Sequence, residues 1–171
     1  LGSHKTKIMF LTKYVCRSSV DFLGPVGERY AGLYYSFMER FRFDYDFYWY
    51  TGDSGITYEY QRESNTLQPS LSSAKKNPGL SLLNALLSFC LGNFRSQKIF
   101  VVSYPYFPRS LLLAVLLFLL KPFRLTVIVD VQDLPRETPG TVGYAIWRII
   151  DELYYLHADF IVNAVECAKI Y

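Results

Sequence analysis

The stretch Leu125 to Glu137, LTVIVDVQDLPRE, narrows the possible folds more than any other part of this chain. Val127, Ile128 and Val129 form a β-branched run with no polar face. A strand that is apolar on both sides must be covered on both sides, and a parallel sheet flanked by helices supplies that cover. The run breaks off at Asp130, Gln132 and Asp133, followed by Pro135 and Arg136. In open α/β sheets the ligand crevice lies at the carboxyl ends of the strands. The pattern therefore sets two carboxylates and a guanidinium where such a fold does its chemistry. Asp-Leu-Pro is also ordinary turn chemistry, in which Asp133 accepts hydrogen bonds from nearby amides.

The same alternation runs through the rest of the chain. Lys7 to Val15 (KIMFLTKYV) reads as a first strand, and Arg17 to Gly27, with two glycines and a proline, as a loop. Glu28 to Phe41 places Tyr30, Leu33, Tyr34, Phe37, Met38 and Phe41 at helical spacing. Tyr45 to Thr51 is an aromatic second strand, Gly52 to Gly55 a turn, and Ile56 to Gln61 an alternating third strand. The polar stretch Glu63 to Pro78 reads as an exposed loop. Leu80 to Leu91 is an apolar helix stopped by Gly92-Asn93. Lys98 to Ser103 is a buried strand, Arg109 to Leu120 a helix, and Leu125 to Val131 a further strand. Thr141 to His157 is a long amphipathic helix, Phe160 to Asn163 a short last strand, and Val165 to Tyr171 the start of another helix. Strands that alternate with helices predict a doubly wound, mostly parallel α/β sheet with helices on both faces.

Composition excludes several classes. With 171 residues, 51% hydrophobic and 19% charged, the chain can bury a core and is not a disordered segment. The net charge of +3 comes from scattered basic residues, so nucleic acid is not an expected partner. Cys16, Cys90 and Cys167 are dispersed, which suggests reduced thiols in a cytoplasmic setting. No His/Cys/Asp set has ligand spacing, so no metal is expected. The glycines match neither GxGxxG nor GxxxxGK[ST], and no cofactor is expected. Leu111 to Leu120 is the longest apolar run and is shorter than the ~20 residues of a bilayer-spanning helix. It reads as a buried helix, or as one that seats the domain on a membrane surface. Leu1 to His4 reads as a tag remnant, which leaves residues 5–171 as one domain.

Three places carry a resemblance to the N-terminal, acceptor-side domain of a GT-B glycosyltransferase, most like glycosyltransferase family 4. They are the opening strand with its glycine-containing loop (Lys7 to Gly27), VDVQDLPRE (Val129 to Glu137) and HADFIVNAVECAKIY (His157 to Tyr171). The resemblance implies a Rossmann-like half whose cleft receives the acceptor. It also implies a second, C-terminal domain, absent from this sequence, that holds the nucleotide-sugar and carries a Glu-x7-Glu motif. This chain has no such motif, so it is expected to be inactive alone. Its opening loop also departs from the family's tidy Gly-Gly pair, because Pro25-Val26 separates Gly24 from Gly27.

Sugar transfer needs an acceptor hydroxyl within reach of a base and a place for diphosphate charge. Asp133 is the first candidate for the catalytic contact and Asp130 the second. Arg17, Ser18, Gly24 and Gly27 are candidates for acceptor or phosphate contact, although a solvated loop with glycine turns accounts for them as well. Tyr104, Tyr106 and Arg109 follow another strand and can line an acceptor groove, or form a packed turn with Pro105 and Pro108. Arg136 is a further acceptor candidate that can instead pair with Glu137. His157 complements a helix dipole at a carboxyl terminus. The expected partners are a nucleotide-sugar donor, through the second domain, and a glycan or lipid-linked acceptor. A membrane surface and a second copy of the chain are further candidates. A different class of function is also open: a non-catalytic half that pairs with a separate catalytic subunit. A response regulator is disfavoured, because Thr12-Lys13-Tyr14 stands where its acidic cluster is needed.

Overall fold

The computed structural model describes residues 5–13, 26–70, 78–92, 96–104, 110–123, 125–131 and 140–163, with the backbone alone at 26–32, 78, 104 and 163. The strands are β1 (Lys7–Thr12), β2 (Asp46–Thr51), β3 (Thr57–Gln61), β4 (Thr66–Pro69), β5 (Lys98–Tyr104), β6 (Leu125–Val131) and β7 (Phe160–Asn163). The helices are α1 (Val26–Phe41), α2 (Pro78–Leu91), α3 (Ser110–Leu120) and α4 (Val142–His157), with one 3-10 turn at Lys121–Phe123. All seven strands form one sheet in the order β4-β3-β2-β1-β5-β6-β7. The five strands from β2 to β7 across the sheet are mutually parallel, whereas β3 and β4 are antiparallel additions at the β2 edge.

Two cores hold the layers together. On one face, α1 buries Tyr35 and Met38 against Ile8, Phe10, Phe47, Trp49, Tyr58 and Tyr60. On the other, α2, α3 and α4 pack on Met9, Leu11, Tyr50, Phe100, Val102, Val127, Val129 and Val131. Successive side chains on a strand point to opposite faces, so the unbroken apolar runs of β1 and β5 feed both cores at once. The first core is nearly all aromatic. Phe10 stacks on Tyr34 at 4.8 Å between ring centroids and lies 5.5 Å from Trp49.

The polar stretch after β3 departs from expectation, because β4 forms within it. Arg62 to Asn65 turns the chain, and Asn65 adopts φ 54°, a left-handed conformation that asparagine tolerates better than most residues. Helix α1 then clamps that turn. Tyr35 donates to the Asn65 carbonyl at 2.7 Å, Asn65 donates to Glu39 at 2.5 Å, and Tyr60 bonds the Asn65 side chain. Pro69 is tolerated because β4 is an edge strand. Helix α1 also begins earlier than the sequence suggests, so Gly27 lies in its first turn and not in a loop.

The Ala158-Asp159 step before β7 has a clear physical role. The Asp159 amide donates to the Val127 carbonyl at 2.8 Å, and its carboxylate accepts from the Val127 amide at 2.7 Å, pinning the start of β7 to β6. Lys121 pairs with the same carboxylate at 2.7 Å. Partial burial works to raise the Asp159 pKa, but the hydrogen bonds from Lys121 and Val127 prevail and hold it below the ordinary value. A depressed carboxylate stabilises the fold above its unfolded pKa, ~3.9, and that contribution is lost as pH falls through the lower folded value. Asp159→Ala is therefore expected to lose on the order of 1 kcal/mol at pH 7, with the deficit shrinking below about pH 4. Urea midpoints at pH 7 and pH 3 measure this; an equal deficit at both would contradict it.

Candidate functional site

The strand order reverses between β1 and β5. From β1 the chain turns to β2 on one side, and from β5 it turns to β6 on the other. In open parallel sheets the ligand crevice forms outside the carboxyl ends of the strands at such a reversal. A row of buried polar side chains marks this edge: Thr51, Thr12, Ser103 and Asp130. Thr12 is in register with Thr51, and Ser103 with Asp130. The Leu11–Val102 pairing brings the two halves of the row together across β1 and β5. All four lie on the α1 face.

Aromatic residues of the core beneath hold two members of the row, Thr12 and Asp130. Trp49 Nε1 donates to Thr12 Oγ1 at 2.6 Å. Thr51 shares a hydrogen bond with Ser54 in the turn that leads to β3. Gly55 closes that turn at φ 67°, and its carbonyl accepts from Ser81 at 2.5 Å. Asp130 is 8% exposed and accepts a hydrogen bond from Tyr34, which reaches across from the middle of α1. The Tyr34–Asp130 bond ties α1 to β6 and holds this carboxylate at the rim.

Of the residues singled out from sequence, Asp130 is thus seated at the carboxyl edge of the sheet. Tyr104 ends β5, one residue beyond Ser103. Gly27 sits in the first turn of α1, the helix that follows β1. Arg17, Ser18, Gly24, Tyr106, Arg109, Asp133 and Arg136 lie outside the described residues. Thr12, Ser103 and Tyr34 were not anticipated at this edge. Tyr34 belongs to the apolar stripe of its helix, and nothing in that periodicity shows where its hydroxyl goes.

Other reactive groups lie away from this edge. Cys90 is a buried free thiol, and burial pushes its pKa up to about 11 despite the nearby Lys98 cation. A buried, protonated thiol is unreactive. Lys98 is buried on the face opposite α1, where its ammonium donates to the Ser96 carbonyl at 3.2 Å. Burial also raises the Tyr154 pKa, and its hydroxyl donates to the Ser110 carbonyl at 3.0 Å, joining α4 to the start of α3. No group of three or more metal-ligating side chains occurs among the described residues.

The outer surfaces of α3 and α4 are unusually apolar. Leu111, Leu112, Val115, Phe118 and Leu119 are exposed along α3, a helix with no charged residue. Val142, Ile146, Ile149 and Leu156 are exposed along α4. The Phe118 ring meets that of His157 at 4.6 Å, linking the α3 surface to the end of α4. No helix among the described residues is long and apolar enough to cross a membrane. No protein-family model, curated protein or solved structure matches this chain.

Proposed function

We propose that this chain is the acceptor-binding half of a sugar-nucleotide-dependent glycosyltransferase, a doubly wound, Rossmann-like unit of the GT-B type. The observation that carries this reading is the polar row Thr51-Thr12-Ser103-Asp130 at the carboxyl edge, where the strand order reverses. That edge is where such a sheet presents a ligand. Asp133, two residues beyond the end of β6, is the candidate to accept the acceptor's hydroxyl proton. Asp130 is held at the carboxyl edge by Tyr34. Arg17, Ser18 and the residues after β5 would complete the acceptor groove. The donor would be held by a second domain outside this sequence.

The parallel strands alone, in the order β2-β1-β5-β6-β7, also match flavodoxin-like sheets. Fold does not decide function, and the residues at the edge must. Lys13, directly after β1, disfavours the acidic cluster of a phospho-receiver.

Calorimetric titration of this chain with saccharide acceptors and with nucleotide-sugars tests the proposal. Acceptor saccharides are expected to bind and nucleotide-sugars not to bind tightly. Asp133→Ala is expected to weaken acceptor binding by roughly 10- to 100-fold, the worth of one hydrogen bond to a charged group, without moving the thermal midpoint. Tight nucleotide-sugar binding by this chain would overturn the acceptor-side assignment. Unchanged acceptor binding by the variant would remove Asp133 from the site.

The apolar α3 surface supports a lipid-linked acceptor and a peripheral seat on a membrane, because a helix exposed only through apolar side chains is suited to the headgroup boundary. The α4 stripe favours a second reading, in which the domain docks on a separate catalytic subunit or on a second copy of itself.

A further inference from the structure

A pocket of about 240 Å³ opens on the other side of the sheet, beneath α2. It is lined by Lys7 and Met9 of β1, Tyr48 of β2, Thr57 of β3, Ser70, and Ala85, Ser88, Phe89 and Gly92 at the end of α2. Lys7 begins β1 and Thr12 ends it, so the Lys7 end of the pocket lies roughly 16 Å along the strand from the crevice, on the opposite face of the sheet. The site is therefore separate from the one proposed above and does not depend on that reading.

The chemistry of the lining is uneven. Met9, Ala85 and Phe89 make an apolar floor, with the Phe89 ring edge-on to Tyr48 at 5.4 Å. The Thr57, Ser70 and Ser88 side chains are hydroxyls. Among the described lining residues the one cation is Lys7, whose ammonium lies 5.5 Å from the Tyr48 ring centroid. Among the described residues it makes one long hydrogen bond, 3.5 Å, to the Tyr48 hydroxyl. An ammonium has three donors, and no carboxylate pairs with Lys7 within 4 Å among the described residues. Burial holds the amine below its ordinary pKa, with Glu59 opposing that shift.

We infer that this pocket binds a small monocarboxylate with an apolar body, its carboxylate on the Lys7 ammonium and Tyr48 hydroxyl and its body against Met9, Ala85 and Phe89. Three features choose this ligand. The volume is below the usual range for drug-sized ligands. The apolar floor disfavours a free inorganic anion. Glu59, paired in register with Tyr48 on the next strand, repels a second negative charge and so disfavours a phosphate dianion.

An NMR-monitored titration of the chain with sodium benzoate tests this, with benzyl alcohol and inorganic phosphate as comparison probes. Benzoate is expected to saturate, shifting amides of β1, β2 and the end of α2. Benzyl alcohol and phosphate are expected to bind at least tenfold more weakly. Lys7→Met, which keeps the length and apolar stem of the side chain, is expected to weaken benzoate about tenfold or more. Ser88→Leu, at an exposed helix position on the pocket rim, is expected to block benzoate while leaving Lys7 in place. Non-saturating shifts, shifts centred elsewhere, phosphate binding equal to benzoate, or full benzoate affinity in either variant would each overturn the assignment.

Discussion

Phospholipid vesicles are expected to sediment the wild-type protein and to leave the Phe118→Asp/Leu119→Asp double variant in solution. Both side chains stand on the outer face of α3, 53% and 60% exposed. The helix is 11 residues long, about 16 Å, so it lies along an interface and does not cross it. Burying an apolar side chain of this size is worth roughly 1.5–3 kcal/mol. Forfeiting two of them gives on the order of 3 kcal/mol, about two decades in partition, before the cost of dragging carboxylates into the boundary. Neither residue belongs to a core, so thermal unfolding of the variant is expected within a few degrees of wild type. Equal sedimentation of the two proteins would remove α3 as the membrane contact. If wild type ignores vesicles but self-associates, and the double variant is monomeric, the surface belongs to a protein interface.

Trp49→Ala is expected to cost about 4 kcal/mol, within the 3–5 typical of buried Trp or Phe truncations. Trp49 has no exposed surface and packs against both Phe10 and Tyr34 in the aromatic core. Its loss leaves a cavity under α1 and removes the indole donor to Thr12. For a domain stabilised by 5–15 kcal/mol, that is a large share of the total. Trp49→Phe refills most of the volume and separates the two contributions. It should cost roughly 1–2 kcal/mol, the worth of the lost buried hydrogen bond with modest repacking. Urea midpoints at unchanged slope measure both. A loss below about 2 kcal/mol for the alanine variant would mean that the α1 face relaxes around the cavity. Because Thr12 lies in the polar row, the same variants report whether the aromatic core sets the crevice floor.

The α1 face shows how far local pattern carries. The spacing of Leu33, Tyr34, Phe37, Met38 and Phe41 announces a helix with an apolar stripe, and α1 forms there. The pattern does not separate Met38, which is fully buried, from Leu33 and Phe37, which are exposed. Nor does it show that Tyr34 turns its hydroxyl to a carboxylate 96 residues away. Strand β4 is not legible locally because Thr66-Leu67-Gln68-Pro69 is only four residues long, ends in proline and holds a single β-branched residue. Its ladder exists because β3 offers an open edge and α1 holds Asn65 in the turn.

The sequence by itself determined which segments become strands and helices along most of the chain, from Lys7 to Asn163. It did so through short-range causes: β-branched apolar runs, helical periodicity, and stops at glycine or before a proline. Leu125–Val131 and Phe160–Asn163 form as their composition dictates, and Thr141 caps α4 by accepting from the Tyr144 amide. The tertiary structure alone decided the antiparallel β3–β4 edge, the reversal between β1 and β5, and the polar row at the carboxyl edge. It also brought Lys7, Tyr48 and Phe89 together beneath α2. Those features join residues far apart in the chain, and their energies come from register and packing that no local window contains.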